Sequence, residues 1–128
     1  RFSELNELCD IYYDHSGSSR QKTLVYDKLS QTITSIKNDR ERLDNMEEAV
    51  NRYRHNLMAQ LREQMPKLSE RDMRIALYSF AGFSNRAIAL FIDSDPITVS
   101  KMKYNLKQKI KRAETDSQEM LCAALSEK

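Results

Sequence analysis

Apolar positions recur along most of this chain at intervals of three and four, the period of a helix with one buried face. Between Phe2 and His15, the residues Leu5, Leu8, Ile11 and Tyr12 fall on one side, which predicts a first helix, and Ser16-Gly17-Ser18-Ser19 breaks it. A second helix is predicted over about Ser19 to Lys37, carried by Val25, Leu29, Ile33 and Ile36, and the two are expected to pack as a hairpin. Asn38-Asp39 offers a stop or a new cap. From Asp39 to Met65, Leu43, Met46, Val50, Tyr53, Leu57 and Leu61 recur close to a heptad, which predicts one long helix ended by Pro66. The stretch is short for an autonomous coiled coil, so its stripe has two readings, packing on neighbouring helices or a dimer seam.

After Pro66 the helices become shorter and the punctuation clearer. Ser69, with Asp72 three residues on, reads as a cap for the apolar set Met73, Ile75, Ala76, Leu77 and Phe80, and Gly82 suits a C-terminal stop. Ser84 caps a helix in which Ile88, Ala89 and Ile92 face inward. Asp93-Ser94-Asp95-Pro96 makes a tight turn, after which Asp95 as cap and Pro96 at the first helical position start another helix. A last helix is expected over about Thr115 to Leu125, with Met120, Leu121, Ala124 and Leu125 on one side, where it caps the module or joins a dimer contact. The fold class expected is therefore all-α, with a helical extension over 1–66 and a helix-turn-helix domain over 67–128.

Two glycines and two prolines in 128 residues leave little material for hairpin turns, which agrees with helices throughout. The net charge of +2 points to no partner, but its distribution does. Residues 96–112 hold Lys101, Lys103, Lys107, Lys109, Lys111 and Arg112 and no acid. Cys9 and Cys122 lie near opposite ends without companion ligands, and His15 and His55 have no nearby nucleophile or metal-ligand spacing, so no metal, cofactor or catalytic centre is expected and reduced thiols in a cytosol fit. No apolar run approaches the roughly 20 residues of a bilayer span. The first residue, Arg1, is not Met, which suits a fragment of a longer protein whose remainder carries a sensor or membrane anchor.

Two short helices separated by a tight turn, the second of them basic, match what major-groove readout requires, because the groove admits one α-helix and phosphates flank it. At 100° per residue, Val99, Met102, Leu106 and Ile110 cluster on one side of the last of these helices, and Ile97, Ser100, Lys101, Tyr104, Gln108 and Lys111 lie opposite. Base contacts are expected from Ser100, Lys101 and Tyr104, with Ile97 against a thymine methyl. Thr98, Lys103, Lys107, Lys109 and Lys111 suit phosphates, as do Ser84, Asn85 and Arg86 at the start of the preceding helix. A lysine-rich helix is more often only a solvated face. Here the agreement of cap, turn, second cap and charge sign argues for DNA.

Those residues carry a resemblance. Gly82, Ser84, Asn85, Ile88, Ala89, Thr98, Val99, Asn105, Lys109 and Ile110 fall, without gaps, at the intervals of the LuxR/GerE class of helix-turn-helix, so that Leu68 to Ile110 resembles that class. The family's turn glycine falls on Asp93, its following aliphatic on Ser94 and its frequent mid-helix histidine on Met102. The wider pattern, Leu57-Met58 through Arg62-Glu63-Gln64-Met65-Pro66 and Tyr78 to Ser84, resembles the C-terminal cytoplasmic part of bacterial tetratricopeptide-repeat regulators, which carry a membrane span between sensor and DNA-binding end. The resemblance implies a bacterial transcription regulator, cytoplasmic in this segment, with double-stranded DNA, a second copy of the chain and RNA polymerase as partners. The rival expectation is a helical adaptor that meets an acidic protein surface with its basic helix.

Overall fold

In the computed structural model, which describes residues 5–10 and 24–126, with only the backbone for Leu24, Val25, Tyr26 and Lys28, all regular structure is helical. Helical residues 5–10 (α1) are followed by α2 (Leu24–Asn38), α3 (Arg40–Tyr53), α4 (Leu57–Gln64), α5 (Glu70–Phe80), α6 (Asn85–Phe91), α7 (Pro96–Ala113) and α8 (Gln118–Ser126). The all-α class is thus what the chain adopts. The expected continuation of the first helix to His15, the break at Ser16–Ser19 and the start of the second helix lie outside the described residues.

The helix starts follow the caps. Asp39 accepts from the backbone N–H groups of Glu41 (3.0 Å) and Arg42 (3.3 Å), Ser69 from Asp72 (3.0 Å), Ser84 from Ala87 (3.2 Å) and Asp95 from Thr98 (2.8 Å). Gly82 closes α5 at φ +95°, where the N–H of Phe83 reaches back to the carbonyl of Tyr78. An added Cβ there would meet no atom within 4 Å, so backbone conformation rather than space asks for glycine.

The long helix expected from Asp39 to Met65 is two helices. His55 and Asn56 take left-handed conformations (φ 56° and 57°), which ends α3 and turns the chain before α4 begins at Leu57. Asn56 makes no side-chain cap, and Asn51, in the last turn of α3, supplies it: its Oδ1 accepts the N–H of Ala59 at 3.0 Å. Arg54 closes the corner by donating to the carbonyl of Phe80 at 2.9 Å. The dimer-seam reading fails with the continuous helix. Leu43, Met46, Val50, Leu57 and Leu61 are all buried within the chain, and Tyr53 is 64 % exposed.

One apolar core runs from Leu29, Ile33 and Ile36 of α2 through α3 and α4 to Leu121, Ala124 and Leu125 of α8, across the expected boundary at 66–67. α7 packs on α6, α8 and α5, and α2 packs on α6. Gln64 fastens α4 to the start of α8, its amide oxygen accepting from Ser117 N–H and its amide nitrogen donating to Ser117 Oγ, both at 2.9 Å. Tyr78, Phe83 and Phe91 pack edge-on or tilted with centroids 5.0–6.4 Å apart at the junction of α5 and α6. The Tyr78 hydroxyl is buried with no hydrogen-bond partner among the described residues, and burial raises its pKa above the ordinary tyrosine value.

Two stability outcomes follow. Tyr78→Phe should raise the unfolding free energy by about 1 kcal/mol, since it removes an unsatisfied buried donor without changing shape. Asn51→Ala should lower it by about 1 kcal/mol through loss of the α4 cap. Urea denaturation of both variants checks them.

Candidate nucleic-acid interface

The orientation of α7 is set by its inward stripe. Val99, Leu106 and Ile110 are fully buried, and Met102 packs partly against the same core. At its start Asp95 accepts twice from Thr98, from the N–H at 2.8 Å and from the hydroxyl at 2.9 Å. These bonds hold the Asp95 carboxyl below its ordinary pKa, with Lys101 adding a favourable charge. Pro96 occupies the first turn, where its missing N–H costs nothing.

With that face buried, the opposite one is solvent-facing. Ile97 (71 % exposed), Ser100, Lys101 and Tyr104 (61 %) are exposed, as are Lys111 and Arg112 about two turns beyond, and Gln108 is half-buried. All four residues expected to contact bases therefore share one exposed face. Arg112 belongs there too and was absent from the expected contacts, although its offset of 11 residues from Lys101 is three helical turns and already places it in line.

The expected phosphate contacts divide. Lys103 sits inside the hydrophobic stripe, only 7 % exposed, and burial, followed by repulsion from Lys107, lowers its pKa below the ordinary lysine value. It is a core residue with an amine at its tip, not a flanking cation. Lys109 donates to Asp72 Oδ2 on α5 at 2.7 Å, and Lys107 to Ser126 Oγ at the end of α8 at 2.9 Å. The Thr98 hydroxyl proton is engaged by Asp95. Lys111 alone of the lysines assigned to phosphates stands exposed without a hydrogen bond or ion pair among the described residues.

At the start of α6 the N–H of Ser84 donates to Asn6 Oδ1 at 2.8 Å and its hydroxyl donates to Asp10 Oδ1 at 3.1 Å, so both Ser84 donors are occupied by α1. Asn85 is half-buried and Arg86 exposed. The turn between α6 and α7 places Asp93, at the position where the resembled family has glycine, in the left-handed region (φ 55°). Ser94 N–H closes it onto the Ala89 carbonyl at 2.9 Å, and Lys37 from the end of α2 pairs with the Asp93 carboxylate at 2.6 Å.

Among the described residues no group of three or more His, Cys, Asp or Glu side chains gathers in a way that could hold a metal, and no helix is long and apolar enough to cross a membrane. Cys9 is buried, with its thiol pushed up to about 12 by desolvation and by Asp10. Comparison with protein-family models, with curated proteins and with solved structures finds no match for this chain.

The burial of Lys103 has a pH signature. Its lowered pKa means that the folded state binds fewer protons than the unfolded state between that lowered value and the ordinary lysine pKa of about 10.4. Raising the pH through this window should therefore stabilise the native chain relative to Lys103→Met. At pH 7 the variant should be the more stable by about 1 kcal/mol, because it no longer desolvates an ammonium. Thermal unfolding of both proteins from pH 7 to 10 checks the sign, the gap closing as the amine loses its proton.

Proposed function

We propose that this chain is a LuxR/GerE-like helix-turn-helix regulator that binds double-stranded DNA through α7, with α6 and the Ile92–Asp95 turn setting the angle at which α7 enters the major groove. The observation that carries the reading is the acid-free outer face of α7, where Ile97, Ser100, Lys101, Tyr104, Lys111 and Arg112 are all exposed while the opposite stripe is locked in the core. A helix of 18 residues is about 27 Å long, enough to follow the groove with its first half and leave it with its second. Ser100, Lys101 and Tyr104 then meet base edges, and Lys111 and Arg112 meet phosphates where the helix departs.

In this reading the partners are a DNA duplex, a second copy of the chain that reads a neighbouring half-site, and RNA polymerase, and the segment works in a bacterial cytoplasm. Lys107 and Lys109 contribute to holding α7 against α8 and α5 rather than to DNA affinity. Lys103 contributes to neither.

Titration of labelled duplexes at several salt concentrations tests the assignment. Lys111→Ala and Arg112→Ala should each weaken binding to all duplexes and reduce the salt slope by about one. Lys101→Ala and Tyr104→Ala should weaken a preferred duplex about 5- to 100-fold more than a random one. Lys109→Ala should leave the slope unchanged and lower stability instead. Salt-insensitive binding, or none, would favour a protein-binding adaptor.

A further inference from the structure

Four large apolar side chains stand exposed among the described residues, and two of them, Ile97 and Tyr104, lie on the outer face of α7. Seven residues separate them, which is close to two helical turns, so they stand in line about 10 Å apart along the axis. Lys101 projects from the same face between them and is likewise exposed. Neither Ile97 nor Tyr104 belongs to the apolar core, and Tyr104 takes no part in the Tyr78, Phe83 and Phe91 group. A single exposed apolar side chain is ordinary. Two aligned on one helix with a cation between them make a face that alternates apolar, cationic, apolar.

At base edges in the major groove, the C5 methyl of thymine is the apolar group, and the other bases present donors and acceptors. Resting on the DNA-binding reading above, we infer that Ile97 and Tyr104 read two thymine methyls spaced about two to three base pairs apart, with Lys101 directed at the guanine acceptors O6 and N7 between them. The spacing follows from the helix, since about 10 Å along its axis, inclined as it follows the groove, covers about two to three base-pair steps. Ile97 supplies a branched aliphatic contact at the helix N-terminus and Tyr104 a ring face two turns later. Both stand clear of the packing that stabilises the fold, so each contact can be removed without unfolding the chain.

Uracil in place of thymine removes only the methyl and tests the claim from the DNA side. A duplex preferred by the 128-residue chain is selected from a random pool, and each thymine of its half-site is then replaced singly by deoxyuridine. The expected result is a loss of about four-fold in affinity at two positions about two to three base pairs apart and little change elsewhere. Ile97→Ala should erase the uracil sensitivity at one of these positions and Tyr104→Ala at the other, with melting temperatures unchanged. A preferred duplex whose affinity is indifferent to uracil at every position would overturn the apolar readout and leave the DNA-binding reading standing. Failure to prefer any duplex would overturn both.

Discussion

Burial of Val99, Leu106 and Ile110 is the constraint on which the candidate interface depends. Three residues at offsets of 0, 7 and 11 fix the rotation of α7 about its axis, and a change of one residue in that phase would turn every outer side chain by 100°. Because the stripe is held against α5, α6 and α8, the face with Ile97, Lys101, Tyr104, Lys111 and Arg112 is a consequence of packing and not of charge. The charge was then divided by the same geometry. Lysines near the inward stripe turned to Asp72 and Ser126 or became part of the core, and those opposite remained in solvent.

Much of this was legible in the amino-acid pattern, and the parts that were not have identifiable causes. Asp39, Ser69, Ser84 and Asp95 cap helices because a short polar side chain satisfies an N–H two or three residues away, a relation entirely local to the sequence. Lys103 was legible too, since it lies four residues after Val99 and seven before Ile110, and its charge obscured a position that the helical period assigns to the core. The partners of Lys107 and Lys109 lie 19 and 37 residues away, and no local rule reaches them. The corner at His55 and Asn56 was hidden because the apolar spacing continues through it, and the Asn51 cap that supports it is eight residues from the N–H it serves.

The N-terminal half also bears on the interface. Asn6 and Asp10 hold one end of α6 at Ser84, and Lys37 holds the other at Asp93, while Arg74 donates to the Lys37 carbonyl at 3.3 Å. Ion pairs this exposed contribute about 0–1 kcal/mol, so the turn geometry owes more to the bond from Ser94 to Ala89 and to the tolerance of Asp for a left-handed backbone. What the contacts do supply is orientation. Helix α6, which precedes α7, is held at both ends by residues from the half of the chain that carries none of the outer basic face.

The central claim is that the outer face of α7 distinguishes one DNA sequence from another, and repeated selection of bound sequences from a random duplex pool tests it most directly. The account predicts an enriched motif of a few base pairs, rich in thymine and repeated at a fixed spacing if two copies bind together. A pool that remains random after several rounds, while binding still falls with salt, would contradict sequence reading and reduce the basic helix to a nonspecific anion-binding surface.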